Sequence, residues 1–125
     1  IDFSCSQVAV INCSFSDIKD KAISIGEGSQ VTVETVKIDR VSFGVVAKDL
    51  SQATISKCDI TGASIAGFST YQKKKAFGPA KMVINNSAIL SSAKNFLVQE
   101  GSTIWNNDTA IEAVPLDVKQ LYSTP

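Results

Sequence analysis

The sequence predicts an all-β fold, a parallel solenoid of about five stacked coils with a capping tail. Three observations predict it. The apolar residues are the wrong kind for helices: 13 Ile and 12 Val stand against 5 Leu, among 16 Ser and 8 Thr. β-Branched and small hydroxylated side chains suit pleated surfaces, whereas Leu-rich chains favour helices. Second, similar eight-residue segments recur at 8, 31, 53, 82 and 103, in steps of 23, 22, 29 and 21. Third, small polar turn residues close the units at regular places. A unit of this size cannot bury its own apolar face, but stacking at about 4.8 Å joins like residues into one core. Because the chain direction repeats, the sheets are parallel.

The first unit pairs Val8–Phe15 with Ala22–Ile25 and turns at Gly26-Glu27-Gly28-Ser29. The second pairs Val31–Ile38 with Gly44–Ala47 and turns at Asp49-Leu50-Ser51. The third pairs Ala53–Ile60 with Gly67–Thr70. The fourth pairs Met82–Ile89 with Asn95–Val98 and turns at Glu100-Gly101-Ser102. The fifth is Thr103–Ala110. Val10, Val33, Ile55, Ile84 and Trp105 then form one inward column, which makes Trp105 a core plug. Phe15, Ile38, Ile60, Ile89 and Ala110 form another. Cys13 and Cys58 share a third column two coils apart, about 9.6 Å by strand spacing and beyond disulfide reach. They read as buried thiols, with Cys5 unpaired. Asn12, Asn86 and Asn107 share a bend column, where Asn tolerates a left-handed backbone. After Pro115 the pattern stops, and residues 112–125 read as a tail covering the C-terminal end of the solenoid.

Composition excludes several functions. With 12 basic and 12 acidic residues there is no electrostatic drive toward nucleic acid. No apolar run approaches the roughly 20 residues of a membrane span. The chain has no His, which removes Ser-His-Asp triads, Cys-His pairs and His-based zinc sites. It opens without an initiator Met or a signal sequence, in mid-pattern, and residues 1–125 read as a single domain from the C-terminal part of a larger protein.

The recurring pattern is Val-x-Ile-x-Asn-x-x-Ile, a polar turn, Gly-Val-x-x and a Ser-containing turn. Over roughly residues 7–111 it resembles the right-handed parallel β-helix, or pectate lyase-like, superfamily. Asp20–Ser29 and Tyr71–Lys75 are also similar to segments of bacterial surface proteins that join a β-helix to a spore-coat-kinase-like domain. The resemblance implies a right-handed solenoid. It leaves function open, because that fold carries lyases, hydrolases, epimerases, adhesins and spacers.

Two groups of residues are candidates for chemistry. The long third step places an insertion at residues 71–80, and solenoid insertions form surface loops. There Tyr71 and Phe77 offer flat surfaces for a sugar ring, and Lys73, Lys74 and Lys75 offer cations for a uronate or phosphate. The second group is acidic: Asp17 and Asp20 on one bend, Asp39 and Arg40 on the next. Lyases on the resembled fold cluster carboxylates around calcium beside a basic residue, which would use Asp17, Asp20, Asp39, Arg40 and Lys19. Arg40, however, shares the column of Asp17, so ordinary ion pairing accounts for the group. The leading expectation is a non-catalytic structural or glycan-binding domain of a secreted or surface bacterial protein, without a cofactor or metal site. The rival is part of a polysaccharide lyase or epimerase, with calcium. Polysaccharide, the parent chain and an end-to-end second copy are the expected partners.

Overall fold

The computed structural model describes residues 1–123, and the predicted tail extends two residues beyond them. Three long, bent strands dominate: β2 (Gln7–Gly26), β3 (Gln30–Lys48) and β4 (Gln52–Tyr71). A short β1 (Asp2–Ser4) precedes them. They are followed by β5 (Lys81–Asn85), β6 (Ala88–Leu90), β7 (Phe96–Val98), β8 (Thr103–Asn106) and β9 (Thr109–Ala110). A single helical turn and a half, α1 (Val118–Ser123), closes the described chain. All pairings from β1 through β8 are parallel and join each coil to the next. The result is a parallel solenoid of about five coils.

The long strands bend because single residues adopt left-handed backbone at fixed places. Asn12, Thr35, Lys57 and Asn86 (φ 52–54°) make one bend. Asp17, Arg40, Gly62 and Ser91 (φ 54–72°) make the second. Only short polar residues and glycine enter this region readily, yet Thr, Arg and Lys hold it here. They do so because a full ladder on either side fixes the corner. The coil-closing turn is sealed by a serine column. Ser6 N donates to Ser29 Oγ, Ser51 Oγ donates to Ile25 O, and Ala80 N donates to Ser102 Oγ.

Inside, equivalent side chains lie in file: Val8, Val31, Ala53, Met82 and Ile104 in one row, and Val10, Val33, Ile55 and Ile84 in the next. Cys13, Val36 and Cys58 stack as the repeat requires. Phe68 and Phe96 stack with ring centroids 6.1 Å apart.

The last coil departs from the expected register. Thr103 pairs with Lys81 and Ile104 with Met82, so the final step is one residue longer than the sequence alignment gave. Ile104 is therefore the buried residue, and Trp105 is 42% exposed on the outer face rather than a core plug. A β-branched side chain fits a column of Val, Ala and Met, where an indole would overpack it. Ala110 likewise lies outside the inward column. Asn107 and Asp108 both have positive φ and form a two-residue turn, after which β9 runs back antiparallel to β8. The equivalent of a fifth full coil is thus a hairpin.

The tail occupies two surfaces. Ile111 and Ala113 pack against the end of the main core, and Val114 N donates to Val98 O. Leu116, Val118, Leu121 and Tyr122 then fold back along the side wall. There they cover Phe43, Val46, Ala66, Tyr71 and Leu97, a second small core on the outside of the solenoid.

Candidate functional site

The insertion leaves the solenoid just after Tyr71 and is anchored where it departs. Asp49 is buried at the preceding turn with positive φ, and its Oδ1 accepts from Lys73 N and Lys74 N, both at 2.7 Å. Gln72 ties the loop to itself and to the next coil: its N donates to Gln99 Oε1 (2.7 Å) and its Nε2 to Phe77 O (2.6 Å). Leu50 N donates to Gly78 O, closing the loop onto the turn. The segment is irregular but pinned at both ends.

That anchoring separates the five residues expected to act together. Tyr71 is fully buried and presents no ring face to a sugar, which corrects its expected role. It ends β4 rather than starting the loop, and its outward side chain is roofed by the tail. Its hydroxyl lies 2.6 Å from that of Tyr122, and burial pushes its pKa up. Lys74 reaches across to Glu27 at 2.6 Å, and Ser4 donates to the same carboxylate. These contacts hold Glu27 below the usual carboxylate range and raise Lys74. Lys75 is exposed and Phe77 half-buried. Lys73 points its ammonium at the ring of Tyr122, 4.1 Å from the centroid.

Two more lysines meet the same ring. Lys21 Nζ lies 4.6 Å and Lys48 Nζ 6.0 Å from the Tyr122 centroid. Lys21 pairs with Asp20 at 3.0 Å, and its side chain is only 8% exposed. Lys48 donates to Ser24 Oγ at 3.0 Å. A groove of about 480 Å³ opens here, lined by Asp2, Asp20, Lys21, Ser24, Lys48, Lys73 and Tyr122 beside the first residue. Sequence reasoning singled out Lys73 and Asp20, in separate groups, and missed the rest. The signal for Lys48 lay in the register, which sets it level with Tyr71 one coil away. Tyr122 had only the apolar spacing of the tail to announce it.

The acidic bend is an ion-pair stack. Arg40 Nε and Nη2 donate to the two carboxylate oxygens of Asp17 at 2.6 and 3.1 Å, and Nη1 donates to Asp39. These hydrogen bonds hold Asp17 below its ordinary pKa and raise that of Arg40. Asp20 is turned to Lys21 and does not join the group. Lys19 contributes its carbonyl, which accepts from Ser42 Oγ. The side chains do not fit a calcium ion, because a guanidinium already occupies the place between Asp17 and Asp39 where the cation would sit. Of the thiols, Cys58 is buried and its pKa is pushed up to about 12 by burial, which keeps it protonated and unreactive.

Comparison with curated proteins and with solved structures found no match. A family model describing a right handed beta helix region matches residues 1–115. That match spans all the parallel coils and the hairpin that ends them, and the chain belongs to the right-handed β-helix family.

Proposed function

We propose that this chain is a non-catalytic β-helix domain of a secreted or cell-surface bacterial protein, a stiff module whose side wall holds polysaccharide. The observation that carries the reading is the fate of the acidic bend: Asp17 and Asp39 both close on Arg40. A lyase or epimerase needs carboxylates free to bind a cation and a base free to take a proton. At the coil-closing turn, the loop supplies exposed Lys73 and Lys75 and half-buried Phe77 instead. The test is affinity electrophoresis through gels containing acidic or neutral polysaccharide, run beside an ultraviolet assay for unsaturated products with and without calcium. Retardation without turnover is the expected result. Calcium-dependent turnover would establish the lyase or epimerase reading in its place.

A further inference from the structure

We propose that Lys21, Lys48 and Lys73, gathered around Tyr122, bind a doubly charged tetrahedral oxyanion: a phosphate or sulfate group. The site shares Lys73 with the polysaccharide reading but needs no sugar chain, so a titration with small ions can fail without that reading failing. Each lysine comes from a different coil, and all three ammonium groups meet one ring within 6.0 Å of its centroid. Like charges held this close repel unless something offsets them. Asp20 offsets Lys21. Lys48 donates to a neutral hydroxyl, that of Ser24, and reaches the Glu27 carboxylate only at long range, while Lys73 meets the ring. Among the described residues no carboxylate lies within ion-pair distance of either, and Asp2 lines the groove without pairing.

Two ammonium groups without a direct ion pair therefore face a groove of about 480 Å³. A phosphate ester carries about −1.5 to −2 at neutral pH, which matches that charge. Carboxylates are best held by the flat fork of arginine, whereas lysines act as point charges that can be set around a tetrahedral group from several sides. The wall is shaped for Lys48 to reach in. A Cβ built on Gly26 would stand 3.3 Å from Lys48 Cε, so the lysine stem lies across a glycine with no side chain to deflect it. Lys21 is fixed by burial of more than nine-tenths of its side chain. Tyr122 is held by the Tyr71 hydroxyl and by the apolar strip beneath the tail.

The test is isothermal titration of the intact chain with inorganic phosphate, with sulfate and with acetate, each at matched ionic strength. Saturable binding of phosphate or sulfate, either one preferred or both alike, is the expected result. The preferred ion identifies a phosphorylated or a sulfated ligand. Lys48→Met and Lys73→Met keep the stems and remove the charges, and their combination is expected to weaken binding about tenfold or more. Lys37→Met, exposed on β3 and not among the ring contacts, is expected to bind as the parent does, and circular dichroism checks that each variant is folded. Acetate binding as tightly as phosphate and sulfate, no saturable binding of any of them, or undiminished binding by the folded double variant would overturn the proposal.

Discussion

The first three coils and the last two are built from the same repeat, yet they are not equally regular. β2, β3 and β4 run 19 or 20 residues without interruption, whereas β5 to β9 have two to five residues each. In β3 and β4 each bend residue has a left-handed neighbour in the coil before and in the coil after, so the corner is held from both sides. In the late coils the 71–80 insertion, the Asn107-Asp108 turn and the tail take over. Regularity in a solenoid is thus cooperative. A coil with full neighbours tolerates Arg or Lys at a left-handed corner, and a coil next to the end turns back on itself.

Core truncation should expose this difference most strongly. Ile55 is fully buried between Val33 and Ile84, with intact coils on both sides. Ile55→Ala is expected to cost about 3–5 kcal/mol, because the site cannot collapse. Ile104 is just as buried, but its far side is covered by the hairpin and tail. Ile104→Ala should fall near about 2 kcal/mol as those segments relax. Urea unfolding of the two variants measures both, and equal costs would break the contrast.

Glycine substitutions sharpen it next. At Gly44 an added Cβ would collide with Gly67 O and Ile60 Cδ1 between neighbouring coils, so Gly44→Ala should cost about 1–3 kcal/mol. At Gly78, in the insertion, the added Cβ meets chiefly the end of the exposed Leu50 side chain, which can swing away. Gly78→Ala should cost less than about 1 kcal/mol, again read from the urea midpoint.

Much of the fold was legible because the repeat states it several times. Val10, Val33, Ile55 and Ile84 each vouch for the same column, and a parallel stack follows from their agreement. The reading slipped where only one copy remained to testify. Thr103-Ile104-Trp105 fits the repeat in two registers, and choosing between them depends on how much room the end of the core has for an indole, which no local pattern contains. Site residues were less legible for a related reason. Tyr71 sits at the junction of strand and loop, and its burial is decided by Leu116 and Tyr122, some 50 residues away. Lys21, Lys48 and Lys73 never share a motif. They meet because coils stack and a tail without a repeat folds over them.

The tail gives a smaller, local prediction. Tyr122→Phe keeps the ring and removes the hydroxyl contact with Tyr71, at a cost of about 1 kcal/mol. Hydrogen exchange should quicken over residues 116–122 and stay unchanged in β2 to β4. Faster exchange throughout would mean that the outer cluster and the solenoid unfold as one unit.

The acid dependence of the bend ion pairs is the smallest effect expected, since Asp17 and Arg40 are both exposed. Arg40 depresses the pKa of Asp17 below its ordinary 3.8, so the folded state holds the ionised carboxylate more tightly than the unfolded chain does. The stabilisation is therefore complete above the unfolded value and drains away as the pH falls through the lower folded value. Glu27, depressed by Lys74 from its ordinary 4.5, acts in the same direction. Thermal unfolding of the parent chain and of Asp17→Asn should differ at pH 6, converge once the pH falls well below 3.8, and differ less in high salt, where exposed pairs are screened. A difference that survives at low pH would show that Asp17 stabilises the bend through its left-handed backbone rather than its charge. Asn accepts that backbone as readily as Asp, so the substitution isolates the ion pair from the corner it decorates.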